Sequence, residues 1–315
     1  VANAIECRGV ARRFGDVQAL AGIDFDVASG ELFGIVGPNG SGKTTLFNCL
    51  QGLDRQDSGD LNVLGLDPRQ NRKELNARMG VQLQSAAILP RLRVREALRL
   101  FASFYPKTRD IEALLAELGL TSKANAYVDK LSGGQRQRVF IALALLHDPD
   151  VLFFDELTTG VDPQARQAIW DVLKSLGAAG CTIVITTHLM EEAEALCDRV
   201  AVIDAGRIIA LGTPVELIAA HGGAQRLILE TSDRIAPNHL LKLEGVSEVR
   251  QEGNHLEITG SGDFALASVS ALRDMEAHVT HMELKTPSLD DVFLNLTGRD
   301  MRDDTATRTP SRSAK

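Results

Sequence analysis

The run Gly37-Pro38-Asn39-Gly40-Ser41-Gly42-Lys43-Thr44, with Thr45 behind it, constrains this chain more than any other feature, because it fills every position of the pattern G-x-x-x-x-G-K-[ST]. The apolar stretch Leu32–Val36 ahead of it reads as a buried strand, and helical spacing through Leu46 and Leu50 follows. A strand, a glycine-rich turn and a helix in that order aim backbone N–H groups and the positive end of a helix dipole at one point, which makes a seat for phosphate. Lys43 is placed to reach β- and γ-phosphates, and the Thr44 hydroxyl to ligate Mg²⁺. Average residue usage would produce the bare pattern about once in a hundred chains of this length, so an ordinary glycine turn is the weaker reading.

The 315 residues suffice for one large domain and a small one, with apolar content to bury a core in each. A net charge of -8 argues against a protein whose task is to neutralise nucleic-acid phosphates. Cys7, Cys49, Cys181 and Cys197 form no C-x-x-C pair and stand near no histidine at ligand spacing. They suggest neither a zinc site nor a disulfide framework, and fit a reducing compartment. No stretch reaches the roughly 18 apolar residues of a membrane span, and the amino terminus lacks the charged and apolar segments of a signal peptide. The chain is expected to stay where it is made, so any path through a membrane must come from another subunit.

Residues 1–220 alternate short apolar runs with amphipathic stretches, the pattern of an α/β unit on a largely parallel sheet. Besides Leu32–Val36, strands are predicted at 151–154, 182–186 and 200–203. Residues 85–149 read as a helical insert, with apolar periodicity at 95–105, 111–118 and 135–146. His221, Gly222 and Gly223 mark the predicted boundary. Beyond it, strands at 226–230, 246–252, 255–259 and 279–284 and helices near 238–243 and 264–275 follow the order of a small α+β ferredoxin-like domain, 221–298, expected to serve regulation or dimerisation. Gly253-Asn254 reads as a hairpin turn. Leu289, Val292, Phe293 and Leu296 recur at helical spacing, predicting an amphipathic helix over 288–296 with Gly298 at its end. Residues 299–315 are poor in apolar side chains and are expected to be a disordered tail.

Two further motifs carry chemistry. The apolar run ending in Asp155 and Glu156 reads as a strand with two carboxylates at its carboxyl edge. Asp155 would hold Mg²⁺ through water, and Glu156 would orient or deprotonate an attacking water, a role worth about a hundredfold to ten-thousandfold in rate. Alone, such a pair is more often a solvated turn; the phosphate loop upstream favours the catalytic reading. Leu131-Ser132-Gly133-Gly134-Gln135 directly precedes a predicted helix. It offers either a second anion-binding helix terminus or a glycine-rich cap in which Ser132 satisfies backbone donors.

With these motifs in this order, the sequence resembles an ATP-binding cassette protein, a family that carries LSGGQ ahead of such an acidic strand. The resemblance covers about residues 4–216. It implies a P-loop NTPase cassette, a RecA-like core with a helical subdomain, that binds and hydrolyses ATP with Mg²⁺. It also implies a homodimer in which the signature of one copy, Ser132 to Gln135, closes over the γ-phosphate held by the other. By position, Phe14 matches the aromatic that stacks on adenine, and Gln84 the glutamine that senses Mg²⁺ and the attacking water and faces the membrane partner. Asp162 matches the loop that crosses the dimer, and His188 the histidine at the γ-phosphate. Singly, Phe14 reads as core, Gln84 as surface and His188 as a cap; together and in order they read as one site. Two positions depart from the pattern. Leu157 stands where proline is usual, which would loosen the following turn, and Gln82 stands where an apolar residue is usual. Neither removes a catalytic group, so an active ATPase is expected.

About ninety residues separate Lys43 from Ser132, too few for a chromosome-type coiled coil, and there is a single motif set. These features favour a transport ATPase, with no nucleic-acid partner expected, over the alternative of a soluble cassette acting on a nucleic-acid or ribosomal partner. The segment from Pro287 to Arg299 resembles the closing motif of daunorubicin-resistance exporter ATPases. That likeness implies a separately encoded transmembrane permease and a peripheral location at the cytoplasmic face of the membrane. The implied cargo is drugs, lipids or other amphipathic compounds.

Overall fold

Two long strands near the amino terminus, β1 (Asn3–Phe14) and β2 (Val17–Ala28), alternate polar and apolar side chains. They therefore pair as an antiparallel hairpin with one face buried. This pattern announces no motif, and the strands were not anticipated as a sheet of their own. With β4 (Ser58–Val63) they form a three-stranded sheet in the order β2-β1-β4. The computed structural model describes residues 2–82, 91–232, 235 and 237–299.

The second sheet holds β3 (Leu32–Val36), β5 (Met79–Gln82), β6 (Val151–Asp155), β7 (Thr182–Thr187), β8 (Arg199–Asp204) and β9 (Arg207–Gly212). Its order is β5-β6-β7-β3-β8-β9. The first five strands run parallel and β9 turns back antiparallel. β3, β6 and β7 are buried at every position, as short, largely apolar or β-branched strands in a covered parallel sheet should be. The helix α1 (Lys43–Leu50) contributes Leu46, Phe47 and Leu50 to the core that also takes in β1 and β2. Phe25 and Phe33 stack there with centroids 5.2 Å apart, and Phe47 meets Phe153 edge-on at 5.4 Å.

The short α2 (Arg72–Asn76) precedes β5. Within the predicted insert lie α3 (Val94–Ala102), α4 (Ile111–Glu117) and α5 (Gly133–Leu145). α6 (Pro163–Ala178) and α7 (Met190–Leu196) flank β7 in sequence. No helix among the described residues is long and apolar enough to cross a membrane.

The chain divides into two units, residues 1–214 and 215–299. Sequence pattern put the break at His221, one helix later. The helix α8 (Pro214–His221) goes with the second unit because its end is tied there: Asn295 donates to the His221 carbonyl at 2.8 Å, and Gly222 lies so close to Pro287 that a Cβ would approach it to 2.9 Å.

In the second unit, β10 (Gln225–Thr231), α9 (Pro237–Leu240), β11 (Val246–Glu252), β12 (His255–Gly260), α10 (Phe264–Asp274) and β13 (Val279–Lys285) follow the ferredoxin-like order. The sheet is antiparallel in the order β11-β12-β10-β13. Leu227, Leu229, Leu256, Ile258, Phe264 and Leu272 form a core of its own. α9 is shorter than the stretch predicted at 238–243, since the chain turns after Leu240 toward Gly245, which has φ 82°. The last helix, α11 (Leu289–Thr297), starts in a capping box between Ser288 and Asp291 and stops at Gly298, φ 73°. Leu289, Val292 and Phe293 are buried, but Leu296 at the final turn is exposed, so the apolar stripe is one residue shorter than its spacing suggested.

Candidate nucleotide site

Parallel register decides where the site lies. Val36 pairs with Thr187 and Asp155 with Thr186, so β6, β7 and β3 end level with one another. Gly37, Glu156 and His188 each follow one of these ends. They emerge together at the carboxyl edge of adjacent strands, the place where open α/β sheets bind ligands.

The loop after β3 is shaped by close approach. A Cβ on Gly37 would lie 2.1 Å from the Ile203 carbonyl oxygen. Gly42, at φ 109°, caps α1 with no side chain, and a Cβ there would lie 2.4 Å from the Ala19 oxygen. The Lys43 ammonium is buried and donates to the Gly37 and Pro38 carbonyls at 2.7 and 2.9 Å. Burial lowers its pKa, while the charges of Glu156 and Asp155 work the other way. The Ser41 hydroxyl is buried and has no hydrogen-bond partner among the described residues. An orphaned, buried hydroxyl in a glycine-rich loop that leads into a helix fits a phosphate-binding cradle. Thr44 and Thr45 occupy the first turn of α1, Thr44 exposed and Thr45 half-buried.

The two carboxylates differ in setting. Asp155 is buried and its pKa is raised by desolvation, a shift opposed by a short hydrogen bond from the Thr186 hydroxyl. Glu156 sits in the left-handed region at φ 48°, an unfavourable conformation for a non-glycine residue. Its N–H is fixed by the Thr186 carbonyl at 3.1 Å and the Thr186 hydroxyl at 3.2 Å. Its carboxylate meets His188 Nδ1 at 3.4 Å and the Thr159 hydroxyl at 3.4 Å. The His188 contact, foremost, holds its pKa below the usual glutamate range, with burial acting against it. Among the described residues no group of three or more His, Cys, Asp or Glu could form a metal cage. Hard oxygens from Thr44 and Asp155 nonetheless suit Mg²⁺, which takes few protein ligands and keeps water and phosphate.

The other predicted residues are spread over several elements. Phe14, at the end of β1, is 46% exposed, so it is not a core residue. The Arg12 guanidinium covers its ring at 4.4 Å and is itself paired with Asp54 and Asp57 at 2.9 Å each. Ser132 caps α5, accepting from Gln135 N–H at 3.3 Å, while the Gln135 side chain accepts from Ser132 N–H at 3.2 Å. The capping reading is thus realised, with Ser132 and Gly133 exposed and Gly134 buried against α6. Asp162 is exposed and caps α6 by accepting from Ala165 N–H at 2.9 Å. Gln84 lies outside the described residues; Gln82 is buried on β5.

Residues 20–159 match the family model described as ABC transporter, and residues 212–297 match that of the ATP-binding protein DrrA1-3-like, C-terminal domain. The Nod factor export ATP-binding protein I of Rhizobium meliloti (strain 1021) is 40% identical over 309 residues, 95% of this chain and 90% of that protein. That of Burkholderia lata is 40% identical over 307 residues, covering 95% and 98%. The chain belongs to the ATP-binding subunits of ABC transporters. Among solved structures, an ATP-binding cassette of an ABC transporter in its ADP conformation superposes with a TM-score of 0.62 at 26% identity, over 69% of this chain and 93% of that one. A dimeric bacterial ABC transporter cassette gives 0.58 at 27% identity, over 66% and 98%. The fold is therefore the P-loop ATPase cassette, and the activity is hydrolysis of ATP.

Sequence reasoning overlooked several groups that hold this cassette's site in place. Thr186 bonds both Asp155 and the strained Glu156 amide. Glu192 is buried and accepts from the Thr158 hydroxyl at 2.7 Å and the Trp170 indole at 3.1 Å, which anchors the loop after Glu156. Gln137 of α5 donates to the Leu157 carbonyl, joining the signature helix to the same loop. Leu157 itself is buried. The looseness expected without proline is offset by these bonds, by Thr159 N–H to the Glu156 carbonyl at 3.2 Å and by Val161 N–H to the Thr158 carbonyl at 3.1 Å. Threonine and glutamate at such positions carry no local signature, so only the partner strand or helix reveals them.

Proposed function

We propose that the chain powers an exporter. In this reading it hydrolyses MgATP at the cytoplasmic face of a membrane, as a homodimer bound to a separate transmembrane permease, and the cargo is an amphipathic compound such as a drug or lipid. The observation that carries it is the level ending of β3, β6 and β7, which gathers the phosphate loop, Lys43 and the Glu156–His188 pair at one edge. The export assignment is supported by relatives named as Nod factor export proteins, aligned over nearly the whole chain, and by the match of residues 212–297 to a DrrA-type domain.

The roles follow from the chemistry. Gly37 to Thr45 enclose the phosphates through backbone N–H groups, and Lys43 adds its charge. Phe14 offers a ring face to adenine over the Arg12 support. Thr44, Asp155 through water and Gln84 would hold Mg²⁺, which would supply charge neutralisation at the phosphates. Glu156 orients and deprotonates the attacking water, with His188 keeping its carboxylate ionised and contacting the γ-phosphate. Ser132, Gly133, Gly134 and Gln135, with Asp162, complete the site of the second copy, and closure moves the permease.

Glu156→Gln keeps the shape of the site and removes the base. Nucleotide affinity is expected to stay within about twofold while turnover falls about a hundredfold or more, and the variant should accumulate as an ATP-bound dimer. Steady-state phosphate release at the wild-type rate rejects the base assignment. Purification from detergent-solubilised membranes tests the partner: a multi-spanning permease is expected to accompany the chain, and recovery of RNA or DNA in its place supports the soluble alternative.

A further inference from the structure

The second unit ends its sheet on an uncovered strand. β13 is the last strand in the order β11-β12-β10-β13, so among the described residues of the unit only one of its long sides is paired. All seven residues from Val279 to Lys285 are exposed. Its neighbour β10 buries Leu227 and Leu229 beneath the helices, and the register sets Leu284 beside Leu227 and Met282 beside Leu229. Leu284 and Met282 therefore belong to the apolar face, yet they are 49% and 56% exposed. An apolar strand face flanked by an unpaired backbone edge is what strand addition uses.

We infer that β13 pairs antiparallel with β13 of a second copy of this chain, about a two-fold axis at Met282. Such an axis, perpendicular to the sheet, keeps the helices of both copies on one side and makes the interface self-complementary. Centred on Met282, it pairs the strand along its whole length, from Val279 opposite Lys285 to Lys285 opposite Val279. His281 then faces Glu283 twice on the open side of the sheet, and Met282 packs on its own copy on the apolar side. Centring on His281 would set that residue against itself, and centring on Glu283 would oppose two carboxylates, with His281 facing Lys285. Two carboxylates directly opposite destabilise a strand pair, and both of those registers also shorten it. Charge and length thus select the same alignment. Because β13 lies in the second unit and the phosphate loop in the first, this pairing requires no nucleotide.

The test uses the full chain carrying Met282→Cys, oxidised without nucleotide and read on a non-reducing gel. Three of the native cysteines are buried and Cys181 is half-buried, so background linking is low. A disulfide-linked dimer is expected to form about tenfold or more faster than with Leu266→Cys, an exposed position on α10, because opposed residues hold their Cβ atoms at bonding range. The rate should be unchanged in a Lys43→Ala background. Adding Glu283→Lys should slow linking by removing the carboxylate that faces His281, and adding His281→Glu as well should restore it by setting a carboxylate against the new lysine. Linking no faster than that of Leu266→Cys overturns the proposal, as does indifference to Glu283→Lys. Linking that appears only with ATP and is lost with Lys43→Ala overturns it too, since the nucleotide sandwich would then be bringing the thiols together.

Discussion

At Glu156 three local facts combine: a left-handed backbone, a depressed carboxyl pKa and a histidine at 3.4 Å. The depressed pKa means that the ionised form is favoured in the folded protein. The associated stability is present above the unfolded value and fades as pH falls through the folded one. Activity that needs the carboxylate fades over the same window. His188→Ala removes the leading cause of the depression and leaves burial, which raises the pKa. The acid limb of the kcat–pH profile is expected to move to higher pH in that variant, beyond any loss at the optimum. An unmoved acid limb, with kcat alone reduced, would assign His188 to the phosphate only. Glu192 is a support of another kind. Glu192→Leu would leave the Thr158 hydroxyl and the Trp170 N–H buried without their acceptor, a loss expected to cost about 2–4 kcal/mol in denaturant unfolding.

At the scale of elements, α5 shows how a signature can be both cap and contact surface. Ser132 and Gln135 satisfy the helix amino terminus within the chain, while Gly134 lets α5 approach α6 so closely that a Cβ would fall 2.4 Å from the Ala165 Cβ. Gly134→Val must push the two helices apart. Nucleotide affinity of the single chain, set by the loop at Gly37 to Thr45, is expected to change little. ATP-driven pairing and turnover should fall about a hundredfold, since a shift near 1 Å in a positioning element has effects of that size. Light scattering with ATP and a phosphate-release assay separate the two effects. Equal loss of nucleotide binding would place the damage in the first unit's core.

Across the molecule, an apolar core in each of the two units predicts two unfolding events. One core joins β2, β3 and α1 through Phe25, Phe33 and Phe47; the other gathers Leu227, Leu229, Leu256 and Phe264. With the proposed nucleotide site in the first unit, calorimetry is expected to show one transition raised by nucleotide and one left in place. Phe264→Ala, a cavity change costing about 3–5 kcal/mol, should lower only the second. A single transition raised as a whole by nucleotide would mean that the units unfold as one.

What the sequence by itself determined is whatever short spacing encodes. The loop at Gly37, the cap at Ser132, the stop at Gly298 and the short apolar or β-branched runs of β3, β6 and β7 each depend on residues a few positions apart. Their meaning survives without knowledge of the fold. Only the tertiary structure decided which strand ends lie level, that Thr186 holds both Asp155 and Glu156, that Glu192 anchors the loop beyond them, and that α8 joins the second unit. It also decided that β1, β2 and β4 form a sheet of their own and that β13 is left at an edge. The reason is physical: these facts are hydrogen bonds and contacts between residues tens of positions apart, and strand register, which no local pattern specifies, brings them within reach.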